Sequence, residues 1–312
     1  MAVPLWIEKL KRRQLKPSHY SKLYLMAGAV GVGVFFIQGC AHKIVAPMPV
    51  TAPESQALAP APLANPLVLK LSAEKGRNEE TVNCSMAVTE SYVKDEIREK
   101  KIDSLDFRVR TTTSEVSSDG KIRQLMVTTE KEGDGLLHDY AYPELGEIIE
   151  MEYLPDGTVL RAGRFPKDSV FYLPAVPLPK KSIQPGDTWS NTDSWKSDVN
   201  GMKLKVNMQS KFLGPKICGQ AMCAEVEVSG NVQMPEPYQK KTGFTHTIKG
   251  RYLFEPKRGL LVWSEFVSDE LLQGKEVRAV LHSTLRSELV QPPGYRTPDH
   301  GEPSCPFETK EE

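Results

Sequence analysis

From Leu67 onward the chain repeatedly alternates apolar and polar residues. Over 202–212, Met202, Leu204, Val206, Met208 and Phe212 fall on one face and Lys203, Lys205, Asn207, Gln209 and Lys211 on the other. Ala224, Val226, Val228 and Val232 alternate with Glu225, Glu227 and Ser229. Over 276–289, Val277, Ala279, Leu281, Leu285 and Leu289 oppose Glu276, Arg278, His282, Arg286 and Glu288. Successive side chains of a strand point to opposite faces, so this pattern predicts antiparallel strands with one wet face. Turn signals separate the runs: Ser118-Asp119-Gly120, Pro155-Asp156-Gly157, Asn200-Gly201, Lys257-Arg258-Gly259 and Gln273-Gly274. Glycine there supplies the positive φ that tight hairpins need. The predicted strands lie near 82–92, 104–117, 121–131, 147–154, 158–164, 188–198, 202–213, 217–232, 242–255, 260–271 and 275–290. The charged stretch 92–101 reads equally as a short helix or a strand.

About eleven strands is more than an open sheet carries without curling or splitting. The expected fold is therefore all-β, a large antiparallel meander in a curved sheet or partial barrel. Two packed β domains or a sandwich is the alternative. Pro174, Pro177 and Pro179 interrupt the pattern and divide it into an N-terminal β half, 67–172, and a C-terminal half, 173–290, followed by a tail, 291–312.

The chain ahead of residue 67 has a different character. Residues 1–22 hold Lys9, Lys11, Arg12, Arg13, Lys16 and Lys22 against Glu8, and the apolar run 23–37 follows. That run is shorter than the ~20 residues a spanning helix needs. A basic region followed by a short apolar one is the signal-peptide pattern. Ile37-Gln38-Gly39-Cys40 resembles the lipobox of bacterial lipoproteins, with Gln38 in place of the usual small residue. The resemblance implies cleavage after Gly39 of a signal peptide, 1–39, and lipidation of Cys40. Several acyl chains, unlike one, anchor a protein firmly. Ala41 follows the cysteine where aspartate would signal inner-membrane retention, so the implied location is the outer membrane, facing the periplasm. Residues 40–66 contain Pro47, Pro49, Pro53, Pro60, Pro62 and Pro66 among many alanines and read as an extended tether.

Charge follows this division. The whole chain balances 40 Lys+Arg against 40 Asp+Glu, yet the leader alone carries +5 and the remainder −5. A mildly acidic body lacks the basic excess of a nucleic-acid binder. Beyond Cys40 there are four cysteines, an even number in an exported chain, which suggests two disulfides. Cys218 and Cys223 bracket a hairpin tip, and Cys84 with Cys305 would tie the tail to the first strand. No metal-ligating spacing, nucleophile elbow or phosphate-cradling loop occurs, so neither a catalytic residue nor a cofactor is assigned.

The aromatic residues remain. Trp189 and Trp195 share one strand face, and Tyr252 and Phe254 another. They read first as core and second as the lining of an apolar ligand site. The segment from Leu178 to Trp189, which ends Pro185-Gly186-Asp187-Thr188-Trp189, resembles a turn-and-strand motif of uncharacterised exported β-rich bacterial proteins. Gly250-Arg251-Tyr252-Leu253-Phe254-Glu255 with Arg258-Gly259-Leu260-Leu261 resembles a later hairpin of the same proteins. The resemblance implies fold and export, without an activity. The leading functional reading is a lipid-anchored envelope protein that binds or scaffolds an envelope partner. A carrier of lipid or another apolar ligand in a curved-sheet groove and an envelope hydrolase are the alternatives.

Overall fold

The computed structural model describes residues 61–94, 96–197, 201–274 and 276–295. The leader, Cys40, most of the tether, Asn200 and Cys305 lie outside them. The described chain is all-β, a single antiparallel sheet of eleven strands that does not close on itself. The strands are β1 (Asn78–Val93), β2 (Glu96–Val116), β3 (Ile122–Glu132), β4 (Ile148–Tyr153), β5 (Val159–Ala162), β6 (Thr188–Lys196), β7 (Lys203–Cys218), β8 (Ala221–Gln233), β9 (Thr245–Glu255), β10 (Leu260–Gln273) and β11 (Val277–Gln291).

Their order across the sheet is β5-β4-β3-β2-β1-β11-β10-β9-β8-β7-β6. The chain therefore makes two meanders. The first runs outward from β1 to the edge at β5. The second starts at the opposite edge, β6, and returns until β11 pairs with β1. The two halves set apart in the sequence are the wings of one sheet, joined along that pair.

β5 and β6 are consecutive in sequence but lie at opposite edges, so the connection between them crosses the whole sheet. Its 3₁₀ turn, Val170–Tyr172, contacts both edge strands, and the Lys196 amide donates to Asp168 O at 2.5 Å. The sheet is thus curled far enough for a connection, rather than a strand pair, to bridge its edges. Register shifts in six of the strand pairings, including Phe212/Gly214 and Leu261/Trp263, supply curvature, because a bulge bends a strand and increases its twist.

The ambiguous stretch 92–101 is strand. Lys94, at φ 50°, ends β1, and β2 begins at Glu96. Local charge suited a helix, but cross-strand partners override it. Lys100 pairs with Glu90 at 3.4 Å, and the Arg278 guanidinium sits 4.0 Å from the centre of the Tyr92 ring. The sequence pattern also missed α1 (Glu236–Thr242), which lies between β8 and β9. Pro235 precedes it and Gly243, at φ 53°, ends it, but seven residues are too few to display a helical period.

Candidate binding surfaces

The inner face of the curl is filled by the protein's own chain. Val226 and Val228 of β8, Phe212 of β7 and Tyr252 and Phe254 of β9 form one buried cluster with Leu67, Leu69, Val176, Leu178 and Ile183. The last five belong to two irregular segments that act as a strap. Leu67 and Ile183 exchange backbone hydrogen bonds of 2.8 and 2.7 Å, and the Leu71 amide donates to Pro155 O at 2.8 Å. The polar ends of two aromatics hold the strap: Tyr252 Oη and Trp189 Nε1 both donate to Pro177 O, at 2.9 and 3.1 Å.

This arrangement gives Tyr252 and Phe254 the first of their two readings, core. Tyr252 and Phe254 are both 0% exposed and line no open space. Trp189 packs against the same cluster, and Trp195, half-buried, lies outside it at the far end of β6. A curved sheet must cover its apolar face. The structure uses the stretch 63–71 with the proline-rich connection. The Gly-Asp turn ahead of Trp189 sets where β6 starts. Gly186 has φ 96°, its amide donates to Phe212 O, and the Asp187 carboxylate accepts the Gln184 amide at 2.9 Å.

Under the first wing, Leu105, Phe107 and Val109 of β2 pack on Leu137, while Ile149, Met151 and Ala162 pack on Phe171. His138 joins these regions. Its Nε2 lies 2.6 Å from Glu147 Oε2, and its ring meets Phe165 and Phe171 edge-on at 5.0 and 5.6 Å. The Glu144 carboxylate accepts the Leu137 and His138 amides and pairs with Lys131. Partial burial opposes the charge of both glutamates, but their partners outweigh it: Lys131 and the two amides for Glu144, and His138, the Glu144 amide and Arg164 for Glu147. Both carboxyls are therefore held below the usual glutamate range. A carboxyl lowered in the folded state stabilises the fold above its unfolded pKa, near 4.5, and that stability is lost as pH falls through the folded value. Glu147→Gln is expected to cost ~1–2 kcal/mol at pH 7. It should also flatten the loss of stability of the parent protein between pH 5 and 3. Urea midpoints measured across that range, unchanged in slope by the substitution, would count against the clamp.

The other two histidines among the described residues lie on opposite faces. His282 is exposed and 2.7 Å from Asp269. His246 points to the inner face, with Nδ1 3.6 Å from Glu270. Burial pushes the His246 pKa down and the Glu270 pKa up. Among the described residues no group of His, Cys, Asp and Glu is arranged to hold a metal ion.

The opposite face of β7–β10 carries an open groove of about 640 Å³. Its floor is apolar, with Leu253 of β9 and Trp263 of β10. The rest is charged, because these positions alternate with the buried valines and aromatics of the inner face. Glu225 lies 3.5 Å from Lys216 and 3.7 Å from Arg251, and Arg286 donates to Glu265 at 2.6 and 3.0 Å. Arg251 stands between Glu227 on β8 and Glu265 on β10 in the strand register. Behind the floor, Cys218 and Cys223 are bridged and fully buried beside Leu253, Val262 and Trp263. A two-residue turn at Gly219 and Gln220 brings the sulfurs together diagonally, since Cys218 faces Ala221 and Cys223 faces Lys216. Cys84 is disulfide-bonded and buried in β1. Sequence reading did not single out this groove. Its charges looked like an ordinary wet strand face, and only the register places Trp263 among them.

No protein-family model and no curated protein matches the chain. Among solved structures it is similar to DynF from the dynemicin biosynthesis pathway of Micromonospora chersina, at 12% identity over 80% of this chain and 95% of that one, with a TM-score of 0.20. A protein with a YmcC-like fold from Bacteroides fragilis is 11% identical over 71% and 99%, with a TM-score of 0.26. The hypothetical lipoprotein YmcC of Escherichia coli K12 is 9% identical over 64% and 85%, with a TM-score of 0.23. Likeness at this level assigns neither activity nor ligand.

Proposed function

We propose that the chain is a lipid-anchored protein of the outer membrane, facing the periplasm, that binds or scaffolds an envelope protein and performs no catalysis. The observation that carries this reading is the division of labour between the two faces. The inner face is occupied by the chain's own strap, and the outer face offers a groove with an apolar floor and a rim of both charge signs. Protein interfaces pair a buried aromatic anchor with such a polar rim. The lipobox-like Ile37-Gln38-Gly39-Cys40 and the tether supply the anchor.

Two substitutions in the full chain test the two parts. Cys40→Ser is expected to abolish incorporation of an alkyne-labelled fatty acid and to release the protein from the membrane pellet; unchanged labelling removes the lipoprotein reading. Arg251→Glu places a fourth carboxylate among Glu225, Glu227 and Glu265. It is expected to weaken cross-linking to the envelope partner about tenfold, or ~1.4 kcal/mol, while Arg164→Glu on the other wing leaves it unchanged. Equal capture by both variants would show that the groove is not the contact. A carrier of lipid would have to displace the strap, and extracts of the purified protein would then contain lipid reproducibly.

A further inference from the structure

The free edge of β6 carries a two-fold pattern. Thr188-Trp189-Ser190-Asn191-Thr192-Asp193-Ser194-Trp195-Lys196 reads nearly alike in both directions about Thr192. An amide and its acid flank that residue, then two serines, then two tryptophans. The connection from β5 covers this edge at its Lys196 end, whereas Thr188, Ser190, Thr192 and Ser194 are exposed and leave the rest of it open. The strand pairs with β7 without a register shift and contains no proline. The opposite edge, β5, has only four residues, and its Ala162 amide is taken by Tyr172 Oη at 3.3 Å. Long, regular, open edges are what natural sheets avoid unless they are to be paired.

The direction of the free groups follows from one hydrogen bond. The Lys196 amide donates away from β7, to Asp168 O. Backbone groups alternate in direction along a strand, so those of Ser194, Thr192 and Ser190 point out on the same side. Among the described residues these three have no backbone partner there.

We propose that two copies of the chain pair antiparallel through β6, about a two-fold axis at Thr192, to make one continuous sheet. Thr192 then pairs with the partner's Thr192, and Ser190 with the partner's Ser194, giving about six backbone hydrogen bonds. The ladder stops one pair further out, where Asp168 already holds the Lys196 amide. Hydroxyls meet hydroxyls on the outer face. On the inner face the Asn191 amide meets the partner's Asp193, and Trp189 meets the partner's Trp195. Cross-strand pairs of these kinds are favourable, and no like charges come opposite each other. A two-fold interface must be self-complementary, and the near-palindrome supplies that property, which an unrelated partner strand would not require. The pairing is independent of the outer-face groove, which β6 does not line.

Cysteine cross-linking of the full chain in its membrane tests the register. Thr192→Cys places two thiols across the axis, and mild oxidation is expected to move most of the protein to twice the monomer mass on a non-reducing gel. Ser190→Cys or Ser194→Cys alone leaves like thiols ~13 Å apart along the ladder and is expected to give none. Co-expression of the two is expected to restore the dimer. Absence of a Thr192→Cys dimer, or equal yields from all three single variants, overturns the proposal. Sedimentation of the detergent-solubilised chain gives a second reading, with the parent dimeric and Thr192→Pro monomeric at unchanged circular dichroism. A parent that is monomeric at every accessible concentration overturns it as well.

Discussion

Phe254→Ala is expected to destabilise the protein by ~3–5 kcal/mol, the usual cost of emptying a fully buried aromatic site that cannot collapse. Phe254 is 0% exposed at the end of β9, between Ala224 of β8 and Leu261 of β10. The small Ala224 side chain leaves room for its ring, and Leu67, Leu69, Val176 and Leu178 contribute to the same cluster. That cavity would be bounded by β-strands that cannot move inward without breaking the ladder. Tyr252→Phe is the matched control. It keeps the ring and removes only the hydroxyl that donates to Pro177 O, for ~1 kcal/mol. Urea denaturation followed by tryptophan fluorescence reads both. The result discriminates between the two roles assigned to these aromatics. If they lined a ligand groove, Phe254→Ala would change stability by less than ~1 kcal/mol, as surface substitutions do. A shift of several kcal/mol identifies them as core.

The strands were legible because each half-buried strand writes its two faces into alternate residues. Over Ala224–Val232 the written alternation and the buried face coincide, and Met202–Phe212 behaves likewise. The turns were legible at Gly120, Gly157 and Gly259, where φ values of 81°, 86° and 62° require glycine. Which strands pair was not, because the alternation is the same whichever neighbour a strand has. The joining of the two wings by β1 and β11, 202 residues apart at Cys84 and Arg286, leaves no local trace. The strap was hidden for a different reason. Leu67, Leu69 and Leu71 alternate over only five residues, too few to predict a strand, and Val176 and Leu178 sit among prolines that read as the division between the two halves.

The candidate sites divide in the same way. The Cys218–Cys223 bridge was legible from spacing alone, because five residues of separation leave a hairpin tip little freedom. The pairing of Trp189 and Trp195 on one face was equally legible, yet its meaning was not. One indole holds the strap, and the pair frames an edge strand whose freedom depends on the order of all eleven strands. The groove around Trp263 needed the shift at Leu261/Trp263, which turns that indole to the face opposite Phe254 and Tyr252.

Gly259→Ala should release the strap without emptying the core. Gly259 ends the turn between β9 and β10 at φ 62°, where an L-residue costs ~1–2 kcal/mol. An added Cβ would also lie 2.2 Å from Ser72 N and 2.7 Å from Lys70 O. Both are backbone atoms of the segment that continues from Leu67 and Leu69, so no side chain can swing aside to relieve the contact. The turn and the strap are tied together at this point. Ser72 N donates to Gly259 O at 3.3 Å, and Arg77 bridges Arg258 O and Ser72 O at 3.1 and 2.5 Å. Strain and overpacking together predict a loss of ~2–4 kcal/mol. The more telling outcome is local: the 67–72 backbone should become sensitive to protease under native conditions, and the dye 8-anilinonaphthalene-1-sulfonate should bind the uncovered inner face. Gly186→Ala provides the comparison, because its φ of 96° carries a similar strain while nothing lies within 4 Å of the added methyl group. If the two variants lose the same stability and neither exposes 67–72, the strap is held by its leucines alone and the Gly259 turn contributes nothing to docking it.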